Sequence, residues 1–164
     1  MTEQQRERRA VVTTPADREI HIERMLDAPR DLVFAVQTDP ALIPEWWGPR
    51  GTTAVVDYMD VRAGGGWRFV IRNADGTETA FRGTYREVAP PERIVQTFEW
   101  EGMPGYVSVE THSLEDLGER TRVTTDVIFH TPEERDGMLA SGMERGMNET
   151  YDRLDELLAR VASR

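Results

Sequence analysis

Cysteine is absent from this chain of 164 residues, which excludes disulfides, thiolate metal sites and cysteine nucleophiles and suits a reducing compartment. Lysine is absent too, because all 20 basic residues are arginine. Schiff-base and lysine general-base chemistry are therefore excluded. No apolar run approaches the roughly 20 residues that a membrane span needs. Residues 1–10 hold no apolar signal-peptide segment, so a cytoplasmic location is expected. Positive charge is in deficit, with 30 acidic residues against 20 basic ones and a net charge of −10. That balance repels phosphate backbones, and no run of five basic residues offsets it, so nucleic acid is not an expected partner. The three histidines, at 21, 112 and 130, show no His-x-His or His-x-x-x-His spacing, and neither metal nor cofactor is expected. Ser108, Ser113 and Ser141 lack the elbow motif of a nucleophile.

What is present, 38% hydrophobic residues in a chain able to bury about two thirds of its unfolded surface, describes one acidic globular domain. Residues 1–17 are polar and aperiodic and read as a flexible tail, leaving the domain at 18–164. Ile20, Ile22 and Leu26 alternate with Glu19, His21 and Glu23, a first strand. Asp27-Ala28-Pro29 offers an N-cap and a first-turn proline for a short helix through Val36, and Asp39-Pro40 opens a second that Pro44 closes. Trp46 and Trp47 then fall on a turn. From 52 to 129, segments in two-residue phase are separated by turn chemistry at 73–76, 90–91, 102–105 and 116–118. The inward sets read as Trp67/Phe69/Ile71, Phe81/Gly83/Tyr85, Ile94/Gln96/Phe98/Trp100, Val107/Val109 and Val123/Thr125/Val127/Phe129, an antiparallel meander with one apolar face. No helix follows Gly64-Gly65-Gly66, so it reads as a strand bend rather than a phosphate loop.

Thr131-Pro132-Glu133-Glu134 combines a capping box with an N1 proline, and one helix of roughly 45 Å is expected from there to about residue 162. Its stripe begins with Met138, Gly142, Met143, Gly146 and Met147 and continues with Tyr151, Leu154, Leu157, Leu158 and Val161. Leucine fills a fixed core, whereas methionine among glycines leaves adaptable space, so the first half reads as the roof of a cavity. Gly137, Gly142 and Gly146 each cost about 1 kcal/mol of helix propensity, so a bend or close approach is expected to require them.

Three segments, 23–49 (ERMLDAPRDLVFAVQTDPALIPEWWGP), 62–100 (RAGGGWRFVIRNADGTETAFRGTYREVAPPERIVQTFEW) and 141–158 (SGMERGMNETYDRLDELL), together resemble the SRPBCC, or START-like, superfamily. Within it they are similar to the domain related to the C-terminal part of the heat-shock ATPase activator Aha. The resemblance implies an α+β helix-grip fold: a curved antiparallel sheet wrapped around a long C-terminal helix, with two short helices after the first strand and a deep cavity between. It does not imply one activity, since members include lipid carriers, polyketide cyclases and hormone receptors. Members often carry Trp where this chain has Met147, which implies a more pliable roof here.

Strand phase, helix stripe and resemblance line the cavity with Phe34, Trp47, Phe69, Ile71, Phe81, Tyr85, Gln96, Phe98, Trp100, Met138, Met143 and Met147. Glu110 and His112 lie two apart on a strand and share a face. If they point inward, the carboxylate orients an imidazole for general-base work, and His112, Glu110 and Tyr85 become catalytic candidates. If they point outward, they are a solvated pair. The valines at 107 and 109 favour outward and Leu114 favours inward. Arg24, on the phase of Ile22 and Leu26, is either a buried anion contact or a side chain laid along the sheet edge with its head wet. The expected function is binding of a small apolar or amphipathic molecule. The alternatives are an enzyme of the polyketide cyclase or hydrolase type and an interaction module for a chaperone ATPase. A homodimer through a sheet edge or the Trp46-Trp47 turn is compatible with the sequence.

Overall fold

Ile20, Ile22 and Leu26 are buried along β2 (Glu19–Leu26), with the outward phase left to His21 and Glu23. In this computed structural model, which describes residues 2–163, β2 is preceded by α1 (Glu3–Glu7) and β1 (Val11–Thr13). The segment expected as a flexible tail is thus placed: β1 pairs antiparallel with β2, and the Ala10 N–H donates to Asn148 Oδ1 at 2.9 Å. Met1, in that tail, and Arg164, at the domain's end, lie outside the described residues.

Two short helices follow β2. The first, α2 (Arg30–Gln37), buries Val33, Phe34 and Val36; Pro29, not Asp27, is its N-cap. The second, α3 (Ile43–Trp46), has Pro44 within its first turn. Pro44 therefore opens this helix instead of closing one, as a residue with no N–H to satisfy can. Six strands come next: β3 (Thr53–Met59), β4 (Gly66–Arg72), β5 (Glu78–Ala89), β6 (Arg93–Trp100), β7 (Val107–Asp116) and β8 (Thr121–Ile128). The sheet runs β1-β2-β8-β7-β6-β5-β4-β3, with every pair antiparallel. Its outer face carries ion pairs such as Arg82–Glu99 at 2.7 Å and Arg122–Glu115 at 2.6 Å.

The C-terminal helix is two helices, α4 (Pro132–Ala140) and α5 (Met143–Ala162), where one was expected. Thr131 caps α4 by accepting from the Glu134 N–H and donating to Glu134 Oε2. The Ser141 hydroxyl closes it by donating to the Met138 carbonyl at 2.6 Å. Gly142, at φ +81°, then turns the chain through the left-handed region that only glycine enters without strain. The bend thus belongs to Gly142, whereas a methyl at Gly137 or Gly146 would meet open space, so no close approach requires those two.

On α5, Tyr151, Leu154, Leu157 and Leu158 are buried in the core that the curved sheet closes over, which makes this an α+β helix-grip fold. Arg24 is 1% exposed, and its guanidinium donates to Asp152 and Asp155 of α5 at 2.9 and 3.0 Å. It is the buried anion contact, and it ties β2 to the helix.

Candidate functional site

Between the inner face of the sheet, α3 and the α4–α5 joint lies a cavity of about 400 Å³. Its aromatic wall rises from β4, β5 and β6. Trp47 meets Phe69 edge-on at 5.0 Å and Phe81 at 5.4 Å, and Trp67 lies 4.9 Å from Phe69. Phe98 continues the wall 5.3 Å from Phe81. Gly83 makes room for this cluster, because a Cβ there would fall 2.5 Å from Trp67 Nε1 and 2.0 Å from the Thr97 carbonyl. Ile71 extends the same wall, while Met138, Met143, Met147 and Gly146 form the opposite side.

The polar wall comes from β6, β7 and β8. Register decides its orientation: Gln96 pairs with Glu110 and Ile94 with His112, and directly paired residues share a face of a sheet. Ser108, Glu110, His112 and Leu114 therefore turn inward on β7, and Val107, read from the sequence as inward, is 40% exposed. The apolar alternation misled there because this strand turns its valines to the outer face and faces the cavity with polar groups.

These polar groups form a chain. Gln96 Nε2 donates to Glu110 Oε1 at 3.1 Å, and His112 Nε2 lies 3.4 Å from the same oxygen. His112 Nδ1 is 3.1 Å from Thr125 Oγ1, which is 3.4 Å from the Tyr151 hydroxyl. With the ring neutral and Glu110 ionised, one proton assignment satisfies every contact: Tyr151 donates to Thr125, Thr125 to Nδ1, and Nε2–H to Glu110. Burial pushes the Tyr151 hydroxyl upward in pKa, and desolvation raises that of Tyr85 as well. Both phenols therefore hold their protons at neutral pH and act as hydrogen-bonding groups.

Of the residues assigned to the cavity from sequence, Trp47, Phe69, Ile71, Phe81, Tyr85, Gln96, Phe98, Met138, Met143 and Met147 line it, as do Glu110 and His112. Phe34 and Trp100 do not. Phe34 points into the core from α2, a helix set against β7 and α5. Trp100 is 42% exposed at the end of β6, its ring close over Gly102. Sequence reasoning left Trp67, Thr125 and Tyr151 off the cavity, although each lay on a phase already read as inward. Among the described residues no group of three or more histidine, aspartate or glutamate side chains could hold a metal ion. Nor, among them, is any helix long and apolar enough to cross a membrane.

The family model described as Activator of Hsp90 ATPase homolog 1-like protein matches residues 27–159. A comparison with the curated proteins returns no match. Among solved structures, a protein from Rhodobacter sphaeroides is 26% identical with a TM-score of 0.86, covering 93% of this chain and 99% of that one. A protein from Arthrobacter aurescens is 26% identical with a TM-score of 0.84, over 92% of this chain and 91% of that one. DynU16, a protein of the dynemicin biosynthetic locus, is 21% identical with a TM-score of 0.64 over 88% of this chain and 48% of its own, a likeness of fold alone.

Proposed function

The chain belongs to the Activator of Hsp90 ATPase homolog 1-like family, and on that premise we propose that its cavity binds a small apolar or amphipathic molecule. The observation that carries this reading is the cavity itself: about 400 Å³ of space between an aromatic wall and three methionines, within the usual size of a small-molecule site. The cavity is partly open at the surface and its walls are mostly apolar, so an occupant that displaces water from them is favoured. The methionines supply a side that adapts to the occupant's shape.

The test is to fill the space. Met143→Trp with Met147→Trp should abolish uptake of a ligand recovered by native mass spectrometry and solvent extraction, while circular dichroism and the melting transition stay native-like. Unchanged uptake in the folded double variant would show that the molecule binds elsewhere.

A second reading, an enzyme of the cyclase or hydrolase type, is favoured by the inward Glu110–His112 pair. Each His112 ring nitrogen already has a protein neighbour, so the imidazole must give up Thr125 before it can take a proton from a substrate. Catalysis requires the His112 titration to move on ligand addition and turnover to vanish in His112→Ala. The family's name also evokes a chaperone ATPase as partner. The outer sheet face, where such a partner would meet charge, carries arginines and glutamates joined in cross-strand pairs such as Arg82–Glu99 and Arg122–Glu115.

A further inference from the structure

The polar wall of the cavity holds one carboxylate, Glu110, and one imidazole, His112, 3.4 Å from it. Among the described residues Glu110 is the only carboxylate that lines it, and no arginine does. Two guanidinium groups approach the lining from behind, and both are committed elsewhere. Arg24, 5.9 Å from the Tyr151 ring, is held by Asp152 and Asp155, and Arg153 donates to the carbonyls of Gly48 and Pro49. A ligand in the cavity therefore meets a carboxylate and no guanidinium, and the His112 imidazole is already turned to that carboxylate.

Register places three hydrogen-bonding groups of this wall in one row. Tyr85 pairs with Gln96 across β5 and β6, and Gln96 pairs with Glu110 across β6 and β7. Neighbouring strands lie about 4.8 Å apart, so the row spans about 10 Å of the wall. Gln96 Nε2 is turned to Glu110 Oε1, which leaves the Gln96 carbonyl oxygen and Glu110 Oε2 without a partner among the described residues. The Tyr85 hydroxyl also has none, although Tyr85 is 3% exposed. The row thus offers two acceptors and one hydroxyl to whatever occupies the cavity. A head group that brings hydrogens satisfies it; a carboxylate or phosphate leaves the acceptors unmet and sets like charges together out of bulk water.

Resting on the ligand-binding reading above, we propose that the cavity selects neutral or cationic amphipaths whose hydroxyl or amine head sits on the row Tyr85–Gln96–Glu110, and that it rejects anionic ones such as free fatty acids. Aromatic or alicyclic bodies suit the ring-lined wall that continues along β5 and β6 beside this row.

The test uses three probes with one apolar body and different heads: naphthalene methanol, naphthylmethylamine and naphthoic acid, titrated calorimetrically into the full chain. The alcohol and the amine should bind, with the acid weaker by about tenfold or more, since like charges brought together in an interface cost several kcal/mol in other systems. Glu110→Gln, which keeps shape and an acceptor oxygen, should bring the acid to within about threefold of the alcohol, about the lower end of what one net hydrogen bond contributes. The wild-type series alone decides the matter if that variant does not fold. An acid that binds as tightly as the alcohol overturns the charge selection and leaves cavity binding standing. No heat from any probe overturns cavity binding and this inference together.

Discussion

His21 shows how one side chain couples this fold to pH. Its Nδ1 lies 2.6 Å from Asp126 Oδ1 and its Nε2 3.1 Å from Glu23 Oε1, so only the protonated ring can donate to both carboxylates. The Asp126 hydrogen bond, followed by that of Glu23, raises the imidazole above its ordinary 6.5. A cationic group raised in the folded state contributes stability that is fully present below the unfolded pKa and is lost as pH rises through the folded one. Replacing it with His21→Gln should therefore cost about 0.5–1 kcal/mol in urea denaturation below pH 6.5 and close to nothing in alkaline buffer. An equal cost at both ends would show that the two contacts do not depend on the ring's charge. The same scale shows what was legible in the sequence. Tyr85, Gln96 and Phe98 could be placed on the cavity because their strands alternate cleanly. Glu110 and His112 could not, because β7 turns its valines to the outer face and its orientation is set by pairing with β6, a non-local fact.

At the scale of elements, the break at Gly142 divides the C-terminal segment into parts of unequal anchorage. α5 contributes four buried side chains to the core, and α4 contributes none. Local opening free energy follows buried apolar contact, so α4 should open far below the global unfolding energy. Native-state hydrogen exchange should find the helical amides of 136–140 exchanging at least about a hundredfold faster than those of 154–158, the ratio that about 2.7 kcal/mol of local stability gives. Equal protection would mean that α4 opens only with the whole domain. Since Met138 of α4 and Met143 of α5 both line the cavity, this looseness lies where a ligand would enter. Periodicity alone ran the two helices together, because methionines keep their spacing on both sides of the joint. The Ser141-Gly142 pair was the local stop signal, and its αL turn is what overrides the pattern. Pro44 carried a similar ambiguity, since proline punctuates a helix at either end and only the packing of Ile43 and Trp46 into the core places it at the start.

At the scale of the whole molecule, the cavity and the stability of the fold are in opposition. The sheet grips α5 firmly at the Leu154–Leu158 end, while around Gly146 the same helix borders unfilled space. A methyl placed on Gly146 would touch nothing within 4 Å, so the residue is not there for lack of room. Gly146→Ala should consequently gain about 0.5–1 kcal/mol from reduced freedom in the unfolded chain and better helix propensity. For a domain of this size that is a rise of about 1–4 °C in Tm. A lower Tm would mean that the helix bends at Gly146 in a way alanine cannot follow. Binding works on the same balance from the other side, because a ligand that fills the cavity of the folded chain alone stabilises it by about 2.7 kcal/mol at a hundred times its Kd. Saturating the wild type with a true ligand should therefore raise Tm by more than Gly146→Ala does. The Met143→Trp, Met147→Trp variant, its space already occupied, should show no ligand-dependent shift; a full shift there would place the occupied site outside this cavity.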